Sequence, residues 1–206
     1  RFTLFNLRRM LMNKSFIIKI IVLCLVTIKV SAIEKVILFG DSLMAGYGLP
    51  KEQHLSVVLQ NSLKLEGYSI EIMNGSVSGS TSAGGLNIAE WTLSENNIDL
   101  MILCLGANDM LRGISPKETK NNLEEIIKIA KSKNIKVIIA GMISPTSYGF
   151  SYKNSFDKIF SDLSKKHKLQ LIPFLLEGVA QKPEFNLSDG MHPNDQGTII
   201  IGNTLK

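Results

Sequence analysis

The sequence predicts an α/β fold, a five-stranded parallel sheet with helices on both faces, in a single domain over residues 33–206. Three observations predict it. Five short apolar runs recur along the chain, and each is nearly continuous in hydrophobic residues, as strands covered on both faces are. Between them the apolar spacing changes to the helical 3.6 repeat. Strands alternating with helices in this way are satisfied by a parallel sheet with crossover helices.

The first strand is KVILFG (35–40), which ends in Gly40-Asp41-Ser42. An amphipathic segment opened by His54 follows, and Gly67 ends that helix before the second strand, IEIMN (70–74). A glycine-rich loop, NGSVSGSTSAGG from Asn74 to Gly85, comes next. The third strand, DLMILCLG (99–106), leads into Gly106-Ala107-Asn108-Asp109. Ser115-Pro116-Lys117-Glu118 then supplies a helix start: a capping Ser, Pro at the first helical position and Glu at the third. Leu123, Ile126, Ile127 and Ala130 mark the buried face of that helix. The fourth strand is KVIIAG (136–141), and Phe156, Ile159, Phe160 and Leu163 mark the helix after it. The fifth, LQLIP (169–173), precedes Ser188-Asp189-Gly190-Met191-His192-Pro193 and a final helix. No internal repeat or low-complexity linker interrupts the pattern, and 206 residues suffice for one domain with a full core.

The formal charge of +5 belongs to the first 32 residues, which hold Arg1, Arg8, Arg9, Lys14, Lys19 and Lys29 and no acidic side chain. The remainder, with 17 basic against 18 acidic residues, is near neutral, so bulk charge gives no reason to expect a nucleic-acid partner. Met12 to Ala32 begins basic, runs apolar from Ile20 to Ile28 and ends in Ser31-Ala32, the layout of a secretory signal peptide cleaved after Ala32. The apolar run is shorter than the ~20 residues a membrane span requires. A secreted or periplasmic location is expected, and Arg1 to Leu11 read as sequence upstream of a start at Met12. Cys24 falls inside this leader and follows Val22-Leu23 rather than small residues, which argues against lipid attachment. Cleavage leaves Cys104, in an apolar strand, as the sole cysteine, so no intramolecular disulfide can form and stability must come from the core.

In an open parallel sheet, ligands bind outside the carboxyl ends of the strands. Four loops expected at that edge carry the parts acyl transfer needs: a nucleophile, a base, a group orienting the base and donors for an oxyanion. Ser42 is the candidate nucleophile. Of the three histidines, His54 and His167 read as solvated surface residues, whereas His192 has Asp189 three residues before it. That carboxylate can accept the Nδ1 proton in a turn and leave Nε2 free. Asp-x-x-His is weak alone, but a metal site would need further His or Cys ligands, and none lies nearby. Asn108 and Gly79 offer the carboxamide and backbone donors that stabilise oxyanions.

GDSLMAGYG, the Gly79 loop, LGANDMLRG and DGMHPN, in this order, resemble four blocks of the SGNH (GDSL-type) hydrolases, near the bacterial arylesterase and thioesterase I/lysophospholipase L1 branch. The resemblance spans Glu34 to about Asn203. It implies a three-layer α/β/α sandwich of flavodoxin-like type, Ser42 as nucleophile, His192 as base and Asp189 as its orienting carboxylate. The oxyanion hole would comprise the N–H groups of Ser42 and Gly79 and the Asn108 side chain. The G-x-S-x-G elbow of the α/β-hydrolases is absent, since Met44 stands where its second glycine would be. Two departures bear on substrate: Ser80 stands where relatives in this branch often carry an acidic residue, and Met44 where many have a small one. Met44 is expected at the site mouth.

The expected reaction is two-step hydrolysis of a carboxylic ester or thioester through an acyl-enzyme, without metal or organic cofactor, with activity rising through an apparent pKa in the His range. Ile143 and Tyr148 from MISPTSYGFSY (142–152), Leu176 from PFLLEGVAQKPEF (173–185), and Met44 and Ser80 are expected to line a groove for an acyl chain or aryl group. Aryl, short-acyl and fatty-acyl esters all remain open, as do lysophospholipids, transient lipid contact and oligomeric state. The alternatives are a carbohydrate deacetylase of the same superfamily and a non-catalytic secreted domain that binds an acyl or lipid ligand.

Overall fold

The computed structural model describes residues 33–206; the expected signal peptide and Cys24 lie outside the described residues. In chain order the elements are β1 (Lys35–Gly40), α1 (Ser42–Ala45), α2 (Leu55–Leu65), β2 (Glu71–Asn74), α3 (Ser82–Thr92), β3 (Leu100–Cys104), α4 (Ala107–Leu111), α5 (Pro116–Ser132), β4 (Lys136–Ala140), α6 (Phe150–His167), β5 (Gln170–Ile172) and α7 (Asp195–Leu205). They belong to one unit, Ile33–Lys206.

All strand pairs are parallel, in the order β2-β1-β3-β4-β5. Helices α2 and α7 pack on each other, while α3, α5 and α6 pack in a row. Right-handed crossovers place these two sets on opposite faces of the sheet, which gives the three-layer architecture. The chain winds from β1 outward to β2, then back across to β3, so the winding direction reverses between β1 and β3. A crevice for ligands opens at such a reversal. The register sets Gly40 opposite Cys104, so the residues after both strands emerge side by side.

Local signals account for most of the elements. The five residues of β3 are all buried, and β1 is buried from Val36 to Gly40. Ser115 Oγ accepts the Glu118 N–H at 3.2 Å with Pro116 in the first turn, and Leu123, Ile126, Ile127 and Ala130 are wholly buried. Gly67 ends α2 with φ +90°.

Four expectations are corrected. The outer strands β2 and β5 are shorter than their apolar runs and are not covered throughout: Glu71, Asn74 and Gln170 are exposed, because an edge strand has a neighbour on one side only. The chain after β1 and after β3 is not loop but a single helical turn in each case, α1 and α4. The glycine-rich loop stops at Thr81, whose hydroxyl caps α3 by accepting the Gly84 N–H at 3.2 Å. His54 and His167 are not free surface residues. His54 Nε2 lies 3.1 Å from the Leu49 carbonyl oxygen, and His167 Nε2, at the end of α6, lies 2.9 Å from Glu124 Oε1 on the adjoining α5.

Cys104 is buried and free, and burial pushes its thiol well above the ordinary thiol range. Among the described residues no helix is long and apolar enough to cross a membrane.

Candidate active site

Ser42 owes its position to its two predecessors. A Cβ on Gly40 would stand 2.6 Å from the Cys104 carbonyl oxygen and 2.7 Å from Met44 Cγ, so a side chain there would push α1 off the sheet. Asp41 caps α1, with Oδ1 accepting the Leu43 N–H at 3.1 Å. The turn points Met44 inward, and it is fully buried under Gly40. Met44 therefore belongs to the core and does not line the site mouth, contrary to expectation.

The second half of the site is a turn after β5. Leu187 N–H donates to the His192 carbonyl at 2.7 Å and Gly190 N–H to the Leu187 carbonyl at 2.9 Å, which closes residues 187–192 on themselves. Asn194 then caps α7 through the Gly197 N–H at 3.0 Å. The closed turn brings Asp189 against His192: Oδ2 is 2.7 Å from Nδ1, and Oδ1 accepts the N–H groups of Met191 at 2.9 Å and His192 at 3.0 Å. The His192 N–H first, then the Met191 N–H and the imidazole hold the Asp189 carboxyl down to about 2. Asp189 is thus a carboxylate at any working pH. The other imidazole nitrogen, Nε2, lies 2.9 Å from Ser42 Oγ, joining residues 150 positions apart.

Asn108 ties the donor candidates together, since its amide meets Ser80, next to Gly79, and Asp41, next to Ser42. Gly79 adopts φ +78°, a conformation that favours glycine, and its carbonyl accepts from Arg112 Nη2 at 3.0 Å. Neither the Ser42 nor the Gly79 N–H donates to a protein acceptor among the described residues. Asn108, on α4, differs: its Nδ2 donates to Ser80 O at 3.1 Å and to Asp41 Oδ2 at 3.3 Å. Asp41 itself is buried, and burial pushes its carboxyl up to about 6 against the opposing pull of the Leu43 N–H, Asn108 and His192. Its neighbour Asp109 is also buried and accepts from the Ser82 N–H at 2.7 Å, the Ser82 hydroxyl and the Thr119 hydroxyl at 3.1 Å, which anchors α4 to α3 and α5.

A cavity of about 880 Å³ opens beside Ser42, Asn108 and His192, with an apolar wall that includes Met142, Ile143, Phe174 and Leu176. Two of the expected groove residues, Ile143 and Leu176, line it. Tyr148 does not; it packs against Tyr152 at a ring separation of 5.6 Å. Ser80 does not line it either, since its carbonyl holds Asn108 and its hydroxyl turns to the Thr81 carbonyl at 3.2 Å. The residue sequence reasoning missed is Tyr47, whose ring lies 4.4 Å from the His192 imidazole. Its only sequence signal was its place between Gly46 and Gly48, five residues after Ser42. Among the described residues no group of three or more His, Cys, Asp or Glu side chains could hold a metal ion.

A hydroxyl facing one imidazole nitrogen, with a carboxylate on the other, can give up its proton as it attacks a carbonyl carbon. Comparison with known proteins points to the same chemistry. The model of the GDSL-like Lipase/Acylhydrolase family matches residues 38–198. An arylesterase of Vibrio mimicus is 38% identical over 165 residues, 80% of this chain and 82% of the relative. The Escherichia coli protein named thioesterase 1/protease 1/lysophospholipase L1 is 30% identical over 183 residues, 89% of this chain and 86% of its own. Among solved structures, the crystal structure of TesA superposes with a TM-score of 0.79 at 33% identity, covering 84% of this chain and 96% of that one. With a family model matching most of its length and relatives at least 30% identical over most of both chains, this chain belongs to the GDSL-like lipase/acylhydrolase family.

Proposed function

We propose that this protein is a serine esterase that hydrolyses carboxylic esters or thioesters carrying an apolar acyl or aryl group. Ser42 is the nucleophile, His192 the base and Asp189 the carboxylate that orients it. The observation that carries this reading is the continuous hydrogen-bonded line from Asp189 Oδ2 through His192 to Ser42 Oγ, 2.7 Å and then 2.9 Å, opening on an apolar-walled cavity. The names of the relatives, arylesterase and thioesterase among them, support the same reaction class.

His192 Nε2 takes the Ser42 proton as Oγ bonds to the acyl carbon, and the carbonyl oxygen gains the negative charge. The N–H groups of Ser42 and Gly79, with the Asn108 amide, serve as donors to that oxygen. Imidazolium returns the proton to the leaving alcohol or thiol, and water repeats the sequence on the acyl-enzyme. The ring of Tyr47 covers one side of the imidazole. Leu111, Ile143 and Met191 are about half exposed at the cavity, an apolar rim that suits amphiphilic esters and brief contact with lipid.

The test is hydrolysis of short-chain and long-chain p-nitrophenyl esters by the chain from Ile33 onward and by its Ser42→Ala variant. Activity lost in the variant supports the assignment, and the chain-length ratio separates an aryl or short-acyl esterase from a fatty-acyl one. Equal rates for both proteins would refute Ser42 as nucleophile. For location, we propose export directed by Met12–Ala32, on its basic start and apolar run. N-terminal sequencing of the exported protein should begin at Ile33, and recovery of intact protein from the cytoplasm alone would overturn this.

A further inference from the structure

Asn108 presents a difficulty for its role. A carboxamide has two N–H donors, and here both have protein acceptors, Ser80 O and Asp41 Oδ2. The Ser80 carbonyl belongs to the exposed glycine-rich turn, whose next contact to α4 is the Arg112 bond to Gly79 O. The Asp41 carboxylate, in contrast, is fixed: it is 1% exposed, it follows the interior strand β1, and its other oxygen is held by the Leu43 N–H. One bond of Asn108 is therefore to a buried side chain and the other to a backbone carbonyl of a partly exposed turn.

We propose that Asp41 is a positioning residue for the oxyanion hole, its carboxylate holding one N–H of Asn108 so that the other is aimed at the oxygen of the substrate. Through Oδ1 the same carboxylate caps the turn that presents the Ser42 N–H, so two donors are set by one side chain. Burial disfavours the charged form of Asp41 most, and Asp109 adds to this, while the Leu43 N–H, the Asn108 amide and His192 favour it; Cys104 is its buried neighbour. When an oxyanion forms, Asn108 exchanges the Ser80 carbonyl for it and keeps Asp41. No covalent bond to Asp41 is made or broken.

The inference rests on the esterase reading, and the experiment separates the two. Asp41→Asn is nearly isosteric. Its carbonyl can still accept the Leu43 N–H, but its NH₂ then faces the NH₂ of Asn108, donor against donor, so the anchoring bond alone is broken. Removing an oxyanion donor lowers turnover by ~10²–10³-fold, and misaiming one should lower kcat roughly 10- to 100-fold with KM within about twofold. The decisive measurement is the cycle with Asn108→Ala. If Asp41 acts through Asn108, Asp41→Asn has almost no further effect on kcat in the Asn108→Ala background. Losses that multiply in the double variant would overturn the proposal, as would an unchanged kcat in the single one. Asp41→Ser, which keeps a capping hydroxyl and lacks the reach to Asn108, serves the same cycle if Asp41→Asn does not fold. Failure of the esterase reading would appear separately, as activity that survives Ser42→Ala.

Discussion

The stability of Asp41→Asn relative to the native chain should rise with pH, even though the substitution harms catalysis and breaks the bond to Asn108. The Asp41 carboxyl is raised from its ordinary 3.8 to about 6, chiefly because burial disfavours the charge. Below pH 3.8 the group is protonated both folded and unfolded and contributes no pH-dependent difference. Above about pH 6 it is ionised in both states, and the folded state carries the whole penalty. At roughly 1.4 kcal/mol per pKa unit, the rise amounts to about 3 kcal/mol. Asparagine titrates in neither state, and its packing and hydrogen bonds do not change with pH. The stability of Asp41→Asn minus that of the native chain should therefore grow by about 3 kcal/mol between pH 3.5 and pH 7, with most of the change between the two pKa values. Urea unfolding of both proteins across that range, at constant ionic strength, measures it. A difference that stays flat to within ~1 kcal/mol, or that shrinks as pH rises, would refute the account of Asp41 as a charge kept buried at a cost in stability. A carboxylate retained at such a cost next to Ser42 fits the trade between stability and activity expected of a functional site.

Two further outcomes follow from the geometry. Asp189→Asn keeps an acceptor for the Met191 and His192 N–H groups but presents an NH₂ to His192 Nδ1, forcing the wrong tautomer; kcat should fall by on the order of 10³–10⁴ with KM little changed, and single-turnover kinetics would expose any milder effect. Leu176→Trp should fill part of the cavity and exclude about two methylenes of a long chain, which at ~0.8 kcal/mol each lowers the long-to-short ester ratio of kcat/KM roughly tenfold; an unchanged ratio would show that acyl chains run elsewhere.

Sequence alone determined the layers of this protein and picked out the residues that meet at the candidate site. The runs from Val36 to Gly40 and from Leu100 to Cys104 became interior strands because unbroken apolar residues have no other low-energy place, and Ser115-Pro116 started a helix because capping is a property of adjacent residues. Ser42, Asp189 and His192 were legible because parallel strands send the ends of their loops to one edge. The tertiary structure decided what these groups touch. Met44 turned inward because α1 is a helical turn docked on Gly40, and Tyr148 turned to Tyr152 rather than to the cavity. His54, His167 and Asn108 took partners from Leu49, Glu124 and the pair Ser80 and Asp41, and Tyr47 came to rest on His192. Periodicity and capping are fixed by neighbours along the chain, whereas a polar side chain chooses among several acceptors at equal reach, and only the packing of distant segments leaves one of them available.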